Sequence, residues 1–154
     1  MDYASAVYKN NKQRHVALLI DCYSGEYSRS LVHGVKKYLS ENPHWSIFLH
    51  EQEKGRTNLS GLLKWEGDGI LARIENEETA DFIRSKNLPT VDLCHNRLIP
   101  ELPYVETNCE NFSLQAIEHL LSKGYRNLGF CGNSKYIWSK RREQYFRLYT
   151  KMRG

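Results

Sequence analysis

Apolar and polar positions along the chain fall into blocks whose period switches repeatedly. After a polar lead-in over 1–14, His15-Val-Ala-Leu-Leu-Ile20 is a nearly continuous apolar run, the pattern of a strand buried on both faces of a parallel sheet. It ends at Asp21. A loop with Ser24, Gly25 and Ser28 follows, and Leu31, Val32, Val35, Tyr38 and Leu39 then recur at helical spacing until Asn42-Pro43 breaks the pattern. Trp45 to Leu49 predicts a second strand, and Leu59, Leu62, Leu63 and Trp65 predict a short second helix. Gly67-Asp68-Gly69 turns the chain into a third strand, Ile70 to Ile74. Glu77 to Ser85, with Ala80, Phe82 and Ile83 apolar, predicts helix three, and Pro89 to Cys94 strand four.

A proline-containing loop, Ile99 to Pro103, leads to the most strongly marked helix. Thr107 and Glu110 have the spacing of a capping box, in which each side chain satisfies a free amide of the first turn. Phe112, Ala116, Ile117, Leu120 and Leu121 form its apolar stripe, and Gly124 stands where a left-handed terminator belongs. Arg126 to Cys131 reads as a further strand. A basic last segment places Trp138, Tyr145, Phe146 and Tyr149 on one side of a helix.

Strands alternating with helices at these intervals imply an α/β fold: a doubly wound, open parallel sheet with helices on both faces. A last helix without a following strand is expected to be loosely held unless it finds another partner, and suggests a truncated chain.

Composition adds little to this picture except in where the charge lies. With 154 residues, 40% hydrophobic and 26% charged, the chain has the make-up of a folded globular domain. The net charge is +4, yet Lys135 to Gly154 holds seven basic residues against the single acid Glu143. That end carries +6 and leaves the remainder at −2, so the body lacks the basic face that duplex binding needs. Nothing in the sequence has the length and apolarity of a membrane span or secretion signal, so a cytoplasmic setting is expected. Cys22, Cys94, Cys109 and Cys131 include no CxxC pair and read as reduced, mostly buried thiols.

Catalytic chemistry finds no support. The loop after strand one lacks GxGxxG, and no GxxxxGK[ST], GxSxG or HExxH occurs. No catalytic, metal-ligating or cofactor-binding set is therefore expected. A receiver-like module would need a phosphorylatable Asp at the end of strand three, where Arg73 stands. A dimerisation module built on Val32, Val35 and Tyr38 stays open.

In open parallel sheets ligands bind beyond the carboxyl ends of the strands. Here those positions are Asp21, Tyr23, Ser24, Tyr27 and Ser28 after strand one, Arg73 after strand three, and Asp92, His95 and Asn96 at strand four. These residue types suit a polyol, because each buried hydroxyl left unpaired costs about 1–3 kcal/mol. Duller roles compete: Arg73 pairing with Glu75 or Glu77, His95 as a loop residue, Asp21 as a strand end.

The stretch from Val105 to Gly132, with its amide-rich helix start and Leu121-Ser-Lys-Gly-Tyr-Arg126 passing into an apolar strand, resembles the central segment of lactose-repressor-type sugar sensors. Trp138-Ser-Lys-Arg-Arg-Glu-Gln-Tyr-Phe146 is similar to an element of their second lobe. Gly67-Asp-Gly-Ile70 and Trp138 to Arg142 are placed as in the xylose operon regulator group.

The resemblance implies a type I periplasmic-binding-protein-like N-terminal lobe over 15–125 and the first strand and helix of a second lobe over 126–154. It further implies a pentose, such as xylose, bound between two lobes, with Trp138 stacking on the ring and Arg142 bonding two hydroxyls. DNA would be controlled through a helix-turn-helix domain missing from this chain, in a homodimer of the full-length protein. A half-sensor of this kind is expected to give no calorimetric xylose isotherm at millimolar sugar. Trp138 as core and Lys140-Arg-Arg142 as a solvated helix face are the alternatives. Asn108 departs from the Asp usual in such sensors, although Asn also caps helices.

Overall fold

A computed structural model describes residues 13–20, 25–51 and 58–153. The chain divides into two compact units, Met1–Tyr104 and Val105–Gly154. That division falls one helix earlier than the 125/126 boundary expected from the sequence.

The first unit contains β1 (Arg14–Ile20), α1 (Glu26–Glu41), β2 (Trp45–Glu51), α2 (Ser60–Leu63), β3 (Gly69–Ala72), α3 (Glu77–Lys86) and β4 (Thr90–Asp92). The strands form one sheet in the order β2-β1-β3-β4, every pair parallel. Register places Ala17 between Phe48 and Ile70, and Leu71 beside Val91. β1 is central, and Val16 to Ile20 are all buried.

Its side chains alternate between two cores because successive residues of a strand point to opposite faces. Ala17 and Leu19 join Ile70, Ala72 and the helical residues Leu62, Ala80, Phe82 and Ile83 on one face. Leu18 and Ile20 join Leu93 on the other, against Leu31, Val32 and Val35 of α1. Helices therefore cover both faces, as the continuous apolar run predicts.

Local signals account for the element ends. The Asn76 side chain caps α3 by accepting from the Thr79 amide at 2.9 Å, and Asn87 ends that helix in the left-handed region. The turn before β3 is locked by Asp68. Its carboxylate accepts from the His15 amide at 2.8 Å and pairs with Arg14 at 3.2 Å, while its own amide donates to the His15 carbonyl at 2.7 Å. Gly67 is required here because a Cβ would lie 2.2 Å from the Trp65 ring and 2.7 Å from the His15 oxygen.

The second unit consists of α4 (Cys109–Ser122) packed on α5 (Ile137–Arg153). The helix start sits one residue later than the capping box suggests: Asn108, not Thr107, is the cap, its side chain accepting from the Asn111 amide at 2.9 Å. At the other end Gly124 has φ of 87°. Its amide donates to Leu121 and the Tyr125 amide to Leu120, the paired bonds of a Schellman terminator.

Residues 126–131, expected as a strand, are irregular. A parallel strand needs a neighbour to satisfy its amides, and none exists among the described residues of this unit. α5 finds the partner it needs in α4, within its own unit. Phe146 is buried and meets Phe130 at 5.6 Å, and Arg141–Glu106 and Arg153–Glu118 pairs at 2.8 Å tie the helix down.

Candidate functional site

The first turn of α1 and the segments that follow β3 and β4 lie at the carboxyl end of the sheet, because all four strands run the same way. Of the residues singled out there, Asp21, Tyr23 and Ser24 fall outside the described part of the chain. Tyr27 and Ser28 occupy the first turn of α1, Arg73 follows β3, Asp92 ends β4, and His95 and Asn96 lie in the next loop.

Three of these are joined through short contacts. The Arg73 guanidinium lies 5.4 Å from the centre of the Tyr27 ring, a cation over an aromatic face, and its Nη2 is 2.7 Å from Glu75 Oε1. The Asn96 amide group donates to the Glu75 carbonyl at 3.1 Å. Tyr27 hydroxyl donates to the Leu93 carbonyl at 3.1 Å, so the amino end of α1 is fastened to the exit of β4. Tyr27, Arg73 and Asn96 all keep partial exposure. Together they place an aromatic ring, a guanidinium and an amide on one small area. The pairing of Arg73 with Glu75, first weighed as a duller role, is present and is what orients the guanidinium.

The remaining candidates turn inward. Ser28 and Asp92 are at most 1% exposed, and His95 is also buried. Asp92 serves its own loop: Oδ1 accepts from the Cys94 amide at 2.9 Å and Oδ2 lies 4.0 Å from Arg97 Nη1. Arg97, which sequence reasoning passed over, is the hub of that loop. Its Nη2 donates to the Pro100 and Leu102 carbonyls at 2.7 and 3.0 Å, and its guanidinium covers the Tyr104 ring at 3.9 Å. Burial pushes the neighbouring Cys94 thiol above its ordinary range, since a thiolate there would lose its water.

In the second unit, the Arg142 guanidinium lies 4.3 Å from the Phe112 ring centre and 5.0 Å from that of Trp138. Trp138 stacks on Tyr136 at 5.5 Å. Trp138 is half-buried rather than core. Phe112 was read only as part of an apolar stripe. Its i+3 and i+4 neighbours gave no hint of a cation partner on another helix.

Among the described residues no group of His, Cys, Asp and Glu has the arrangement of a metal site, and no helix is long and apolar enough to cross a membrane. A cavity of about 530 Å³ opens at the opposite, amino end of the strands, lined by Val16, Trp45, Leu71, Leu88, Val91 and Pro103 among others. Its walls are mostly apolar, and of its polar members Arg14 and Asp68 are paired with each other.

A family model described as the XylR N-terminal domain matches residues 15–110, well over half of the chain. The Xylose operon regulatory protein of Escherichia coli strain K12 is 28% identical over 145 residues, and the same holds for that of E. coli O157:H7. The match takes in 88% of this chain and 36% of those proteins, so the chain spans about a third of the length of the curated relatives it matches.

Among solved structures, that of a xylose-binding transcription activator, xylR, is similar with a TM-score of 0.72 at 25% identity, over 91% of this chain and 36% of that one. A LacI transcriptional regulator from a Rhodococcus species superposes at 0.77 with 12% identity, over 92% and 53%. A periplasmic binding protein/LacI transcriptional regulator from Alkaliphilus metalliredigens QYMF, complexed with D-xylulofuranose, gives 0.71 at 19%, over 91% and 53%. The last two likenesses establish the lactose-repressor, periplasmic-binding-protein-like fold.

Proposed function

From the premise that the chain belongs to the XylR N-terminal domain family, we propose that it is the pentose-sensing portion of a bacterial, cytoplasmic transcription regulator, with xylose as the leading candidate. The observation that carries this reading is the junction of Tyr27, Arg73 and Asn96 at the carboxyl ends of parallel strands. A relative in the family and a solved neighbour are both named for xylose, and another neighbour holds a five-carbon ketose.

The sensor does no chemistry on its ligand. Sugar hydroxyls accept from the Arg73 fork and exchange bonds with Asn96, and the Tyr27 face packs on the ring's C–H surface. Trp138 and Arg142 place an aromatic ring and a guanidinium of the same chemistry within their own unit. Regulation follows by population shift: sugar stabilises the arrangement it binds best, and that differential affinity biases a DNA-binding part elsewhere in the full protein, as a homodimer.

Titration of the 15N-labelled chain with D-xylose tests this by NMR. The amides of Tyr27, Arg73 and Asn96 should shift together, saturating with a Kd weaker than about 1 mM, which corresponds to less than about 4 kcal/mol of binding. Sorbitol, an open-chain polyol, should leave them in place. Shifts confined to other regions, or an equal response to sorbitol, would refute the reading.

A further inference from the structure

We propose that Phe112 is a positioning residue for Arg142: from α4 its ring holds the guanidinium on α5 in place, beside Trp138, for an acceptor on the ligand. The inference rests on the sugar reading, in which Arg142 bonds hydroxyls of the pentose.

The two helices meet through matching turns. Cys109 and Ser113 stand four residues apart on α4, and Trp138 and Arg142 four apart on α5, so each pair shares one helix face. The buried Cys109 thiol lies 3.9 Å from the Trp138 carbonyl, and the buried Ser113 hydroxyl lies 3.1 Å from the Arg142 carbonyl. These contacts fix the main chain of both residues, but not the long Arg142 side chain.

Arg142 differs from the arginines around it. Arg141 pairs with Glu106 and Arg147 with Glu143, each at 2.8 Å. Among the described residues Arg142 has no carboxylate or carbonyl partner, and its Nε is shut off from solvent without a hydrogen bond. What the guanidinium meets instead is aromatic: the ring centres of Phe112 at 4.3 Å and Trp138 at 5.0 Å, with Trp138 itself stacked on Tyr136. A ring face attracts the cation without using its N–H groups, which lie around the rim of the planar guanidinium. An arginine held in this way keeps donors for a ligand and has less freedom to lose on binding. Phe112 is 51% exposed, so its ring adds little to the core of the helix pair.

The test uses the 15N-labelled 154-residue chain, with D-xylose as the probe and the Arg142 Nε–H signal as the readout at mildly acidic pH. Phe112 is replaced by Tyr, Leu and Ala. Leu keeps apolar bulk without a π face, which separates the ring's hold on the cation from plain packing. In the parent and in Phe112→Tyr, the heteronuclear Overhauser effect at Arg142 Nε should report an ordered side chain. In Phe112→Leu and Phe112→Ala it should fall toward the value of the exposed Arg126. Xylose affinity should drop on the order of fivefold in those two variants, the size of one partly desolvated cation–π contact, and should be kept in Phe112→Tyr.

An Arg142 side chain as ordered in Phe112→Leu as in the parent would overturn the proposal, and so would lost order with xylose affinity untouched. A parent that ignores xylose counts against the sugar reading alone, since order at Arg142 Nε across the variants still decides whether Phe112 holds it.

Discussion

Replacing Asp92 by Asn removes one negative charge from a position with no solvent exposure while leaving side-chain volume almost unchanged. The amide oxygen can still accept from the Cys94 amide, so the loss is electrostatic. At the observed 4.0 Å to Arg97, a unit pair at an effective dielectric of 20 interacts by about 4 kcal/mol. Arg97 is 19% exposed and keeps its bonds to Pro100 and Leu102 and its place on Tyr104, so water and carbonyl dipoles recover part of this. About 2 kcal/mol of destabilisation is expected, or a fall in melting temperature of about 4–8 °C for a chain of this size. Urea unfolding followed by far-ultraviolet circular dichroism measures it. Arg97→Met should cost at least as much alone, because it removes the cation beside a buried carboxylate together with the bonds to Pro100 and Leu102. The double substitution should cost less than the two single changes added, with a coupling of at least about 1.5 kcal/mol. A coupling below about 0.5 kcal/mol would refute the view that these two charges hold the loop beside the candidate site.

Other perturbations probe separate features. Gly67→Ala should destabilise by about 2–3 kcal/mol in the same assay, because its methyl group would meet the Trp65 ring and the His15 carbonyl that anchors Asp68. Asn108→Ala should cost about 1 kcal/mol through loss of the α4 cap, whereas Asn108→Asp should be neutral or slightly stabilising beside the positive helix end. Maleimide labelling near neutral pH, read by mass spectrometry, should modify the exposed Cys131 well before the buried Cys94 and Cys109. Because burial raises the Cys94 pKa, the folded state holds that proton more firmly than the unfolded one. Its contribution is present through neutral pH and is lost as pH climbs past the ordinary thiol range, so urea midpoints of the parent should fall there more than those of Cys94→Ala.

Much of the first unit was legible because its signals are local. The run from Val16 to Ile20 is apolar on both faces and occupies the centre of the sheet, and Asn42-Pro43 ends α1 where the pattern breaks. Gly124 ends α4 in the left-handed conformation that its position implied.

Failures occurred where tertiary context decides. Residues 126–131 have strand composition and no strand to pair with. The α4 cap moved by one residue because Thr107 and Asn108 are both good caps and only the path of the incoming chain selects between them. At the candidate site, residue type and the rule of strand ends located Tyr27, Arg73 and Asn96. Depth was not legible: Ser28, Asp92 and His95 have the same chemistry, yet the fold turns them inward. Arg97 escaped notice because its hydrogen bonds go to main-chain carbonyls, which leave no trace in sequence.

The central place of β1 also has a temporal side. The most apolar segment of the chain is made first, but its second neighbour, β3, begins only at Gly69, about fifty residues later. At typical synthesis rates of about 5–20 residues per second, Val16 to Ile20 wait several seconds for that partner, with one edge still unpaired after β2 has been made. A nascent chain of this design depends on early docking of α1, or on a chaperone, to keep that strand from joining its counterpart on a neighbouring ribosome.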